Sequence, residues 1–196
     1  MVNTPLITVI GLILFAYLLG SISSAILLSK LMGFTDPRSE GSKNPGATNV
    51  LRIAGKKAAF FTLVGDCLKG LIPVLIAHWL SGDAIVIALT GFSAFLGHCY
   101  PLFFGFKGGK GVATAIAVCV GYDWLIGVFI IVIWLLFAKV FKISSLAAIV
   151  AFATLPVLVY WQNGSWPTTA VFGLMSLILI WRHKANIQRL MQGTEA

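Results

Sequence analysis

Seven apolar runs constrain this chain more than any other feature. They fall at about 5–29, 58–80, 84–104, 112–122, 124–141, 144–161 and 166–181. A straight helix needs about 20 apolar residues to cross the hydrocarbon of a bilayer, and most of the runs reach or approach that length. Water-soluble packing cannot hide them, because 59% of the 196 residues are hydrophobic and only 10% are charged. The expectation is an all-α polytopic membrane protein, one domain over 1–196, with about seven transmembrane helices. Run 112–122 is short, so it reads as a half-span whose backbone is shielded by other helices. A five-span arrangement, in which 112–122 and one later run do not cross, is the alternative. The N-terminus has no basic stretch of the kind that opens a secretory signal, so the first run reads as a retained span.

The basic residues give the orientation. Net charge is +8, but the cations do not form a nucleic-acid surface. They cluster between the runs: Lys30, Arg38, Lys43, Arg52, Lys56 and Lys57, then Lys107 and Lys110, then Lys139 and Lys142, then Arg182, Lys184 and Arg189. With the N-terminus outside and the C-terminus cytoplasmic, all of these fall on the inner face, as positive-inside topology requires. The outer loops then carry Asp83 and Asp123. Lys69 stands inside a span, with Asp66 at i, i+3. Intramembrane charges are functional candidates by default, but these two can neutralise each other as an ion pair. Cys67, Cys99 and Cys119 lie in apolar runs without metal or redox spacing, and read as small buried residues.

Three polar segments thus share one membrane face. The first, "GSKNPGATNVLR" from Gly41, has turn-forming residues. It also has compact hydrogen-bonding side chains (Ser42, Asn44, Thr48, Asn49) and, in Arg52, a fork that suits phosphate. After Pro45–Gly46 a helix can start, with Thr48 or Asn49 in its first turn. A solvated linker would share much of this composition. The second, "GHCYPLFFGFKGGKGVAT" from Gly97, is not a Walker A loop, because Phe104 stands where its first glycine belongs and Gly111 where its Ser or Thr belongs. Gly108, Gly109 and Gly111 still permit close backbone approach, Lys107 and Lys110 supply charge, and run 112–122 can aim a helix N-terminus at an anion. The bland reading is a flexible hairpin with two anchoring lysines. The third, "WRHKANIQRL" from Trp181, places Arg182, Asn186 and Arg189 on one face of a helix, with His183 at its edge. A basic stop-transfer tail would explain the arginines but not His183 or Asn186. His98, beside the helix-breaking Pro101, reads as structural. His78 and Asp83 have H-x4-D spacing but fall on the outer face, where the match reads as coincidence.

Taken together, the three segments resemble the PlsY family of membrane acyl-phosphate:glycerol-3-phosphate acyltransferases. The likeness runs over essentially the whole chain and extends to "GDCLKG" and to Ser145 in "KISSLAA". Tyr100 stands where the family pattern suggests Phe. Ala185 stands where an acidic residue often precedes the asparagine, so this position supplies no acidic partner for a local salt bridge.

The resemblance implies acyl transfer from acyl phosphate to the 1-hydroxyl of glycerol 3-phosphate, giving lysophosphatidic acid and phosphate, as the first acylation of phospholipid synthesis. It implies no metal or nucleotide cofactor and no acyl-enzyme. The location would be the bacterial inner membrane, with the site facing the cytoplasm. Expected partners are the two small-molecule substrates and membrane lipid, with the acyl-phosphate-forming enzyme as a candidate protein partner and no nucleic acid. Ser42, Arg52, His183 and Asn186 are the expected catalytic residues. Lys107, Gly108, Gly109, Lys110 and Gly111 are assigned to glycerol 3-phosphate. Ser42, Asn44, Arg52 and Ser145 are assigned to the acyl-phosphate head or the leaving phosphate, Asn49 to substrate binding, and Arg182 and Arg189 supply charge. The base is left open between His183 and a substrate phosphate. A small transporter, with polar groups near the midplane, and a non-catalytic membrane subunit are the rival readings.

Overall fold

The computed structural model describes residues 4–195, so the termini, whose sidedness the sequence assigns, lie outside the described residues. Within them the chain is helical throughout: α1 (Leu6–Gly20), α2 (Ser24–Met32), α3 (Ala47–Leu80), α4 (Ala84–Cys99), α5 (Val112–Tyr122), α6 (Trp124–Phe141), α7 (Ser144–Asn163), α8 (Trp166–Arg182) and α9 (Lys184–Met191), with a single 3₁₀ turn at Leu102–Phe104. Five segments are long and apolar enough to cross a membrane: Leu6–Met32, Ala47–Leu80, Ala84–Phe104, Trp124–Phe141 and Ser144–Asn163. The helices at Val112–Tyr122 and Trp166–Arg182 are shorter.

Two runs are less continuous than the sequence suggested. The first breaks at 21–23, between α1 and α2. The helix expected from Trp181 breaks at His183, where α8 ends. In the other direction, α3 starts eleven residues before its apolar run, because Gly46 is an extended N-cap and the polar stretch from Ala47 continues the helix. Gly55 (φ 80°) interrupts α3 just after Arg52.

Helix α4 is the central element and packs against α1, α3, α5 and α8. Its contact with α1 is backbone-close. A Cβ on Gly97 would run into the Tyr17 carbonyl, and one on Gly20 into that of Ala94, the small-residue packing typical of membrane helices. Two hydrogen bonds fasten this pair, from Ser93 Oγ to the Ile13 carbonyl (2.8 Å) and from Tyr17 Oη to that of Tyr100 (2.8 Å). The main core joins Phe95, Val118, Ile130, Phe152, Phe172 and Leu179. Exposed apolar side chains cover the outside, for example Ile7, Leu75, Val140 and Leu177, as a lipid-facing surface requires.

Candidate active site

The loop between α2 and α3 is held by one side chain. Asn49 is buried, and its amide donates to the carbonyls of Pro37 (2.9 Å) and Glu40 (3.0 Å) while its Oδ1 accepts from the Ser42 peptide (2.8 Å). Its hydrogen bonds shape the loop that carries Ser42 and Asn44, and Asn49 itself also lines the cavity described below. Arg38, paired with Asp36 (2.7 Å), donates to the Phe104 carbonyl (3.3 Å) and joins this loop to the second segment.

In the glycine loop the sequence-assigned residues separate. Lys110 and Gly111 line the cavity described below, whereas Lys107 is exposed and Lys107, Gly108 and Gly109 are not part of its wall. The physical reason is the partners of the loop backbone. Arg182 donates to the carbonyls of Gly108 (2.7 Å) and Gly109 (3.1 Å) with its guanidinium over the Tyr100 ring, and the Gly109 peptide N–H goes to the His98 carbonyl (3.2 Å). Arg182 is thus a staple for the loop, and Gly109 does not turn its N–H to a ligand. Gly111 sits at φ 84° as the N-cap of α5, and a Cβ there would enter the Phe95 ring. This position requires glycine twice over.

At the end of α8, His183 turns the chain so that Arg182 and the α9 residues face different ways. After α9, the Gly193 peptide bonds to the Leu190 carbonyl (3.2 Å) and the Thr194 peptide to that of Arg189 (2.9 Å). With Gly193 at φ 67° this is a Schellman reversal, and it folds Glu195 back over the helix. Glu195 accepts from Ser145 Oγ (2.7 Å), from the Asn186 amide and from Arg189 Nε, and the other end of Asn186 accepts from Lys110 Nζ. One hydrogen-bonded chain thus runs from the glycine loop to α7. Glu195 has no role in the site as read from the sequence alone. The glycine two residues before it, just past an amphipathic helix, was the signal for the reversal.

These groups surround a cavity of about 1080 Å³. Ser42, Asn44, Arg52, Lys110, Ser145, His183, Asn186, Arg189 and Glu195 line it. Phe60, Leu63, Ile116 and Trp134 add apolar lining to the same cavity. Phe60 and Leu63 are also exposed, so the cavity is open where these apolar side chains line it.

Electrostatics follow from burial. Lys110 is pushed down to about 8 by desolvation, opposed by Glu195. Desolvation works to raise Glu195, but hydrogen bonds from Ser145, Asn186 and Arg189 outweigh it and hold the carboxyl below its ordinary value. His183, 2% exposed, is pushed down to about 4 by burial and is neutral at pH 7. Its Nδ1 lies 2.8 Å from the Leu179 carbonyl. A carbonyl only accepts, so Nδ1 carries the proton and Nε2 is left as an acceptor.

Beneath the loop, Asp66 and Lys69 form the ion pair (2.9 Å), with His98 Nδ1 at 3.6 Å from the same carboxylate oxygen. The pair expected on the outer face has structural partners: His78 Nε2 meets the Gly121 carbonyl (3.0 Å), and Asp83 caps α4 through the Ile85 peptide (2.9 Å). Cys99 and Cys119 are buried and Cys67 is half-buried, all three as free thiols.

Comparison with known proteins agrees with this arrangement. Residues 10–193 match the family model for glycerol-3-phosphate acyltransferase. The glycerol-3-phosphate acyltransferase of Methylococcus capsulatus is 52% identical over 94% of this chain and 93% of the relative. That of Hydrogenovibrio crunogenus is 51% identical over 92% and 87%. The crystal structure of PlsY, an integral membrane glycerol 3-phosphate acyltransferase, in its glycerol 3-phosphate form superposes with a TM-score of 0.92 at 40% identity, covering 96% of this chain and 94% of that one. Its lysophosphatidic acid form gives a TM-score of 0.87 at 39% identity. The chain belongs to the glycerol-3-phosphate acyltransferase family of multi-pass membrane enzymes, the PlsY family.

Proposed function

We propose that this protein transfers a fatty acyl group from acyl phosphate to the 1-hydroxyl of glycerol 3-phosphate, without an acyl-enzyme. The observation that carries this reading is the mixed lining of one open cavity. Arg52, Lys110 and Arg189 supply cationic charge, and Phe60, Leu63, Ile116 and Trp134 supply apolar wall, with Phe60 and Leu63 exposed. Two phosphorylated reactants, one of them bearing a hydrocarbon tail, suit such a space, and the existence of glycerol 3-phosphate and lysophosphatidic acid forms of the PlsY crystal structure supports the reading.

Lys110 and Gly111 hold the phosphate of glycerol 3-phosphate. Ser42, Asn44, Arg52 and Ser145 hold the acyl-phosphate head, and Arg189 adds charge. Lys107, Gly108, Gly109, Asn49 and Arg182 serve the shape of the loops. The acceptor hydroxyl attacks the acyl carbonyl, the bond from carbon to phosphate oxygen breaks, and phosphate leaves. An acyl phosphate is already activated, so positioning and charge neutralisation are the main requirements. Neutral His183 orients the hydroxyl through Nε2. A phosphate oxygen, with a second pKa of about 6, outcompetes an imidazole held at about 4 and receives the proton.

Seven crossing segments, with the N-terminus outside and the C-terminus in the cytoplasm of a bacterial inner membrane, fit the charge distribution. Helix α5, at about 16 Å for its 11 residues, then starts well below the cytoplasmic surface. The cup is recessed toward the acyl chains.

The test uses purified protein with palmitoyl phosphate and glycerol 3-phosphate. Phosphate release coupled one-to-one to lysophosphatidic acid, and dependent on both substrates, is expected. Equal release without glycerol 3-phosphate, or activity with palmitoyl-CoA alone as donor, refutes the reading. A labelled acyl group trapped on protein in the absence of acceptor refutes the direct transfer.

A further inference from the structure

We propose that Asp66, Lys69 and His98 form a buried positioning unit for the glycine loop, and that the His98 ring is what restricts residue 109 to glycine. This rests on the reading that Lys110 holds glycerol 3-phosphate.

The three side chains are 2%, 5% and 6% exposed, so each charge here needs a reason to be inside a membrane protein. Lys69 Nζ lies between Asp66 Oδ1 (2.9 Å) and the Ile22 carbonyl (2.9 Å). Ile22 belongs to the break between α1 and α2, where carbonyls lose their helical partners. The Asp66 backbone carbonyl accepts from Thr114 Oγ1 (2.9 Å), in the first turn of α5. His98, in the last turn of α4, faces Asp66 with an Nδ1 that makes no hydrogen bond. One turn of α3 therefore touches the end of α4 and the start of α5, the two helices that bracket the glycine loop.

The contact to the loop itself is His98. Its carbonyl takes the Gly109 N–H (3.2 Å). A Cβ on Gly109 would collide with Nε2, with Cε1 at 3.0 Å and Cδ2 at 3.2 Å. The three nearest atoms all belong to this ring, and Gly109 is not in the left-handed region, so its backbone conformation tolerates an L-residue. The imidazole is the obstacle. Residue 109 immediately precedes Lys110, whose ammonium reaches Asn186. A shift of the ring is transmitted to the cation that meets the substrate.

Neutralising two buried charges requires only the Asp66–Lys69 pair. A third member pressed against the loop predicts a kinetic signature that a merely structural cluster would not give. Steady-state kinetics in detergent would compare His98→Ala, Gly109→Ala, the double variant, and Asp66→Asn combined with Lys69→Met, with Lys110→Met as reference. His98→Ala, Gly109→Ala and the Asp66/Lys69 pair variant should each raise KM for glycerol 3-phosphate about tenfold or more, with kcat and the donor KM held within about threefold. In the double variant the vacated ring space accepts the new methyl, so its KM should fall below that of Gly109→Ala alone, a non-additive cycle. Where His98→Ala does not fold, His98→Asn carries the same comparison. The inference is overturned if Lys110→Met raises that KM while His98→Ala and Gly109→Ala do not, or if the two substitutions add. If Lys110→Met also leaves the KM unchanged, the loop is not the glycerol 3-phosphate site, and the functional reading falls together with this one.

Discussion

Raising the pH should weaken capture of glycerol 3-phosphate at a point set by Lys110. Burial lowers this lysine to about 8, and its protonated form is the one that attracts phosphate. Below about 8 the cation is present, and above it the free enzyme loses it. At pH 9, one unit higher, roughly one-tenth of the enzyme keeps the charge, so kcat/KM falls about tenfold from its plateau. An exposed lysine would hold its proton until about 10.4. At saturating substrate the bound phosphate stabilises the ammonium, so kcat should hold to higher pH than kcat/KM. Lys110→Met removes a charged hydrogen bond worth about 1.5–3 kcal/mol, about 10- to 150-fold in kcat/KM at pH 7.5, and should leave a profile flat to pH 9. Lys110→Arg, permanently charged, should also be flat, from a lower plateau. Initial rates of phosphate release, corrected for spontaneous donor hydrolysis at each pH, are the assay. A flat wild-type profile from pH 7 to 9.5, or an unchanged limb in Lys110→Met, refutes the assignment.

Two other outcomes are expected. Asn49→Ala leaves the Pro37 and Glu40 carbonyls and the Ser42 peptide without their partner, at about 1–3 kcal/mol for each buried group left unpaired, and limited proteolysis should cut the loop between 36 and 44 faster than in wild type. His183, lowered in the folded state, binds its proton more tightly when unfolded. Wild-type stability should therefore fall as the pH drops from about 6.5 toward 4, and thermal melts of His183→Gln should show a shallower fall over that window.

The helices were legible because lipid exposure imposes long apolar runs with few interruptions. The sequence reading of 124–141 coincides with α6, and that of 112–122 with α5. The breaks were less so. Nothing in residues 21–23 separates a bend from a continuous helix until Lys69 is known to bond Ile22. The polar segments and their meeting place were also legible, since Ser42, Asn44, Arg52, Lys110, Gly111, Ser145, His183, Asn186 and Arg189 share one cavity. Partner choice was not. Whether an arginine meets a ligand or a neighbouring carbonyl depends on which loops lie beside it, and Arg182 turned to the glycine loop while Arg189 turned to Glu195. Asn49 has the composition of a ligand-binding residue and the geometry of a clamp. Glu195 escaped notice because its role depends on a chain reversal that brings it beside Ser145, fifty positions away in sequence.

The cavity that opens past Phe60 and Leu63 makes the surrounding amphiphile a reactant phase in its own right. A buried methylene contributes about 0.8 kcal/mol, so a palmitoyl tail is anchored by about 12 kcal/mol and is scarcely present in bulk water. What the enzyme samples is the mole fraction of donor within its own micelle or leaflet. Adding detergent at fixed donor therefore dilutes the donor in two dimensions, and its apparent KM in molar units should climb in proportion, while the water-soluble acceptor's stays put.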